Sequence, residues 1–221
     1  MDIAKKIFDD SNIDISFDSI CITNDTRSCP MFIHKTDSCD NNTIRLGIEN
    51  FDYWCQVAYQ LSHEICHYAV YALSKNGTES TPWIEETICE AFSLYFLDYL
   101  QKNWSKTLLF VKNKYYATSV FNYLKNILER KGQDCIISRY DDFVLFNEEY
   151  ATKREYRLTN RNELYRIMNS DNLKGLLIYR EYMLPDSLLM DIESYERDYV
   201  SNSAVKYLCD WQREIESNIS K

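Results

Sequence analysis

The sequence predicts a mixed α+β fold: a small N-terminal antiparallel sheet, two long helices behind it, and a helical C-terminal lobe. Three observations carry this. Short β-branched and aromatic runs cluster between residues 20 and 48. Two longer stretches, ending near residues 73 and 101, repeat their apolar residues at the three-and-four spacing of a helix face. Only four Gly and three Pro occur in 221 residues, which favours long helices over tight turns.

Taken in order, the opening "MDIAKKIFDDSNIDI" places charges within every short apolar run, so it reads as neither a signal peptide nor a membrane anchor. The runs "ICIT", "MFIH" and "TIRLGI" are separated by polar clusters and predict three strands in an antiparallel meander. A helix then starts at Asn50 or Asp52 and reaches about Leu73, with Trp54, Val57, Ala58, Leu61, Ile65, Tyr68 and Ala69 on its buried face. The stretch "SKNGTES" breaks it, with Gly77 as a turn residue. Thr81 is a suitable N-cap for a second helix, Pro82 fits its first position, and Glu85 and Glu86 favour the positive end of its dipole. That helix runs to about Gln101. Further helical patterns lie in "TSVFNYLKNILERKG", ending at Gly132, in "RNELYRIM", and in the closing "SNSAVKYLCDWQREIES". Residues 133–160 show no readable period. The pieces suggest a lobe over 1–101 and a mostly helical lobe over 102–221, or one continuous domain.

The net charge of −9 and a pI near 4.9 argue against nucleic acid or an anionic membrane as the main partner, since both need a basic surface. The basic run "KREYR" at 153–157 reads as a solvated helix face. No run approaches the roughly 20 apolar residues that span a bilayer. Eight Cys without C-x-x-C spacing suggest reduced, mostly buried thiols and a cytoplasmic location.

The chemistry concentrates in "LSHEICHYAV", residues 61–70, which contains two of the three histidines as H-E-x-x-H. On a helix His63 and His67 share a face one turn apart, as two ligands of one tetrahedral ion must. Glu64 is rotated by roughly 100° from His63, close to such an ion without binding it, where a base for a water belongs. Eighteen residues after His67 comes Glu86, in the first turn of the second helix, from which a carboxylate can reach back as third ligand. Glu85 is the alternative. Its face continues with Cys89, Phe92 and Phe96, whereas that of Glu86 continues with Glu90 and Ser93, and the more polar face favours Glu86. Glu90, one turn on, is placed to accept the free ring N–H of a ligating histidine. His34 reads as a strand residue, and Cys66 and Cys89 as packed thiols.

H-E-x-x-H, eighteen residues, then Glu resembles the gluzincin metallopeptidases. The "PWIEETICEA" context, with Trp83 three residues before Glu86, is most similar to the M1 aminopeptidase branch, and an acid at Glu90 is similar to thermolysin-like members. The resemblance covers residues 54–98. It implies a zincin-like fold with a two-helix zinc site, Zn2+ held by His63, His67 and Glu86, and Glu64 as general base and proton shuttle. It further suggests Tyr150, or Tyr156, as the donor to the tetrahedral intermediate. By similarity to the family's G-x-M-E-N motif, Glu49 of "GIEN" would bind a substrate amine, although the Met is missing. The strand "TIRLGI" is the expected cleft edge for an extended peptide.

The function expected is hydrolysis of peptide bonds in a peptide or protein substrate, endo- or exo-acting. Alternatives are a narrow-specificity regulatory protease resembling the ImmA/IrrE-like gluzincins, and a non-catalytic module in which zinc ties two helices together. Neither nucleic acid nor membrane is an expected partner.

Overall fold

A computed structural model of the chain describes residues 1–18, 20–35, 41–74, 80–131, 140–151 and 153–217. Its order is α1 (Asp2–Asp10), β1 (Ile20–Asn24), β2 (Met31–Ile33), β3 (Asn42–Leu46), α2 (Trp54–Leu73), α3 (Pro82–Lys102), α4 (Tyr116–Leu128), α5 (Tyr140–Leu145), α6 (Leu158–Ile167), α7 (Ser170–Leu177), α8 (Ile192–Asp198) and α9 (Ser203–Ser217), with short 3-10 and π turns between. The expected mixed α+β class holds. Gly77 and Gly132, expected at a turn and a helix end, lie outside the described residues, as do Cys39 and Cys135.

The sheet differs from the expected meander. Its order is β1-β3-β2, with β1 parallel to β3 and β2 antiparallel to it. The reason is burial. Ile44 and Leu46 of β3 are almost wholly covered, as is Ile48 beyond it, whereas β1 is exposed along most of its length. The strand with the cleanest apolar alternation takes the centre, where both neighbours shield it. β3 is therefore not an edge. That place falls to β1 and β2, and β2 packs on α2.

The helix α1 was not expected from the sequence, although Ala4, Ile7 and Phe8 stand at helical spacing and are all buried. Phe8 stacks on Phe92 of α3 with ring centroids 5.5 Å apart. The Ser11 hydroxyl donates to the Ile7 carbonyl and closes the helix end. Helix α2 starts two to four residues later than expected. Its buried side is also broader than the predicted face, and takes in Tyr59, Ser62, His63, Glu64 and Cys66, while Trp54, Val57, Ala58 and Leu61 are only half-buried. Helix α3 is buried on nearly every side, as befits a helix crossing the middle of a domain. It packs on α2, α4 and α6.

One connected cluster of buried side chains runs from Ala4 to Cys209, so both expected lobes share a core. In the C-terminal half, α7 opens with a reciprocal capping box between Asn169 and Asn172. Among the described cysteines Cys55, Cys66, Cys89 and Cys209 are buried, Cys21 and Cys29 are exposed, and all six are free thiols. No described helix is long and apolar enough to cross a membrane.

Candidate metal centre

Helices α2 and α3 run antiparallel, so that His67 meets Glu85 and, one turn back along α2, His63 meets Glu86. Pro82 fixes the start of α3, and the Thr81 hydroxyl donates to the Leu188 carbonyl and ties that start to the C-terminal half. Glu85 therefore sits in the first turn of α3 and Glu86 directly follows it.

Three side chains converge. His63 Nε2 lies 3.2 Å from His67 Nε2 and 3.3 Å from Glu86 Oε2, and His67 Nε2 lies 3.4 Å from Glu86 Oε1. Zinc ligands held ~2.0–2.1 Å from the ion at tetrahedral angles are separated by about 3.3 Å. The edge between the histidines is close to that figure, each histidine meets a different oxygen of Glu86, and with one ligand atom from each residue the three form a possible metal-holding group among the described residues. Two histidine nitrogens facing each other this closely are stabilised by a cation between them.

The tautomer is also set. His67 Nδ1 lies 2.8 Å from Glu85 Oε1, so in the neutral ring an N–H there donates to the carboxylate and Nε2 is the nitrogen left bare towards His63 and Glu86. Glu85 is itself anchored. Its Oε2 accepts from the Tyr179 hydroxyl at 2.7 Å and from Arg180 Nε and Nη2 at 2.9 and 2.6 Å. Burial raises the Glu85 pKa, but His67, Arg180 and Tyr179 outweigh it and hold the carboxyl down to about 2. In the same way burial opposes protonation of His67, yet Glu85 and Glu86 push its pKa well above the usual histidine value. Glu86 is held well below the usual carboxylate range by both histidines, against its burial. These directions describe a pocket built to hold positive charge. By contrast His63 Nδ1 is buried with no hydrogen-bond partner.

Glu64 is buried beside this group, and burial raises its pKa against the pull of His63 and His67. It lines a cleft of about 670 Å³. The cleft is also lined by His63, His67, Glu86 and Glu85, by Met31, Phe32 and His34 of the sheet region, and by Arg154 and Arg180 from the C-terminal half.

Compared with family models, curated proteins and solved structures, the chain matches none. The likeness to gluzincins therefore rests on the motif residues themselves.

Several expected positions lie elsewhere. Glu90 does not meet a histidine. It is fully buried and accepts from Arg154 at 2.8 Å and Arg157 at 3.1 Å, with Arg161 at 3.6 Å. The carboxylate at His67 Nδ1 is Glu85 instead, because the antiparallel crossing brings the first turn of α3, and not the second, beside His67. Glu85 is thus a partner of His67 and lies outside the group of His63, His67 and Glu86. Tyr150 sits outside the cleft lining, packed against Phe146 and Tyr156 at 5.3 and 5.0 Å with Lys153 over its ring, so it is not positioned as an oxyanion donor. Tyr156 shares that cluster. Glu49 is exposed and outside the cleft lining. Trp83 is buried with Phe143 and Ile215 and serves packing.

Residues that the sequence did not point to also stand in or beside the cleft, and of these Arg154 and Arg180 line it. Arg154 and Arg157, in the "KREYR" run taken for a solvated face, reach Glu90, and Arg157 is almost wholly buried. A buried acid, Glu90, with no nearby base on its own helix was the available signal. Tyr179 and Arg180 gave none, since their partner lies over ninety positions away.

Proposed function

We propose that the protein is a zinc-dependent metallopeptidase of gluzincin type with a zincin-like fold. The observation that carries this reading is the set of 3.2–3.4 Å edges joining His63, His67 and Glu86, with Glu64 lining the same cleft. Zinc held there supplies Lewis acidity, which acidifies a water near neutral pH and polarises a carbonyl. Three protein ligands leave a coordination position open, the pattern of catalytic and not structural sites.

The chain's own residues then do the following. Glu64 takes a proton from the attacking water at its carboxylate and gives it to the leaving amine, and its raised pKa suits both steps. Glu85, clamped by Tyr179 and Arg180, holds His67 in the ligating tautomer. With Tyr150 packed away, donors to the developing oxyanion come from the cleft wall. Arg154 fits this role, because it lines the cleft while an ion pair from its Nε to Glu90 holds it in place. The outer edge of β2 is unpaired among the described residues, and Met31 and Phe32 line the cleft, so an extended peptide would add to β2.

The test is metal content of the purified protein together with hydrolysis of a peptide library. About one zinc per chain and cleavage that chelation abolishes support the reading. Zinc without cleavage of generic peptides moves it to a narrow-specificity protease or a non-catalytic module. Absence of any bound metal after zinc addition overturns it.

A further inference from the structure

The net charge of −9 hides an uneven distribution. Residues 102–131 contain seven Lys and Arg against one Glu, a net +6, which leaves −15 on the rest of the chain. All seven cations are exposed. Lys102 and Lys125 pair with Asp98 and Glu129, but Lys112 and Lys114 make no ion pair among the described residues.

The same segment exposes several large apolar side chains. Leu108 is 83% exposed, Val111 79% and Tyr115 84%. This is a built loop. Trp104, buried beneath it, donates through its ring N–H to the Asn113 carbonyl at 2.8 Å and packs against Trp54 and Tyr116 at 5.8 and 5.3 Å. Backbone bonds from Lys112 to Leu109 and from Asn113 to Leu109 tighten the tip. A loop held this firmly, with its apolar groups turned outward, forgoes the hydrophobic gain of burying them unless a partner covers them.

We propose that this loop docks on an anionic lipid bilayer, with Leu108, Val111 and Tyr115 entering the headgroup layer and Lys112 and Lys114 held by anionic lipids. Three features favour a lipid surface over a macromolecular partner. The cations nearest the tip are all lysines, which suit a diffuse layer of charge and are depleted at protein interfaces. Leucine and valine offer no stacking face to a nucleobase. The acidic remainder is repelled by the same surface, which orients the molecule loop-first. The whole-chain charge does not oppose this, because screening confines each charge's influence to about 10 Å. The inference is independent of the metal centre.

The test is co-sedimentation of the full chain with phosphatidylcholine vesicles, with and without about one part in four of phosphatidylserine. The wild type is expected to pellet with the anionic vesicles, to stay in solution with the neutral ones, and to be released by high salt. The double variant Lys112→Gln/Lys114→Gln is expected to lower the partition coefficient by about thirty-fold, at roughly five-fold per lysine. Leu108→Ser/Val111→Ser is expected to lower it roughly ten-fold or more. Both pairs are exposed, and unchanged thermal melts would show that the fold is kept. Wild type remaining in solution with anionic vesicles overturns the proposal. Vesicle binding that both variants retain overturns it as well, as does binding to polyglutamate with no binding to vesicles, which would assign the loop to an acidic protein.

Discussion

His67 Nδ1 and Glu85 Oε1 stand 2.8 Å apart, and this contact leaves Nε2 of His67 facing His63 and Glu86. Glu85→Gln keeps the shape and removes the charge. It is expected to weaken zinc affinity by about 10–100-fold, the usual effect of losing a carboxylate behind a ligating histidine. Competition with a fluorescent chelator measures this. An unchanged affinity would mean that His67 is oriented by packing alone.

Glu64→Gln separates binding from chemistry. The variant is expected to retain zinc, since Glu64 is not among the converging ligands. Its hydrolysis rate is expected to fall by at least ~100-fold, the lower bound for losing a positioned general base. Metal analysis and kcat on the best library peptide, taken side by side, decide the matter. Full activity with zinc in place would remove Glu64 from the mechanism.

Among the described residues Glu90 is the carboxylate shared by Arg154, Arg157 and Arg161, and Arg157 already has two buried nitrogens without partners. Glu90→Gln removes this shared counter-charge and leaves Arg157 with Glu86 alone, 3.4 Å away. A loss of about 3–5 kcal/mol is expected, as when one member of a buried ion pair is removed. Urea denaturation reads it. A loss within a few tenths would show that water or Glu86 compensates the arginines.

The pH dependence of stability has two limbs in metal-free protein. Glu85 is held down from 4.5 to about 2, so its contribution is complete above pH 4.5 and is lost as pH falls towards 2. His67 is raised above 6.5, so its contribution is complete below pH 6.5 and is lost as pH rises through its raised value. Zinc replaces the His67 proton and is expected to remove the alkaline limb while sparing the acid one. Melting temperatures across pH, with chelator and with zinc, test this. An alkaline limb that persists with zinc bound would assign it to other groups.

The sequence by itself determined the local parts. The strand runs and the extent of α3 follow from side-chain period and from Pro82 at its first position, which act within a few residues, whereas the Thr81 hydroxyl bonds Leu188 and does not cap the helix. The pairing of His63 with His67 follows from helical geometry, and the reach to Glu86 from a hairpin of two helices. What the tertiary structure alone decided depends on how elements cross. The centre of the sheet went to β3, because burial and not chain order selects the middle strand. Glu85 and not Glu90 took the place behind His67, because the crossing of α2 and α3 brings the first turn of α3 against it. Arg154, Arg157 and Arg180 were drawn in from the C-terminal half to charges they cannot see along the chain. Unpaired charge in a low-dielectric interior is costly enough that the fold places a partner there, from whatever sequence distance the packing allows.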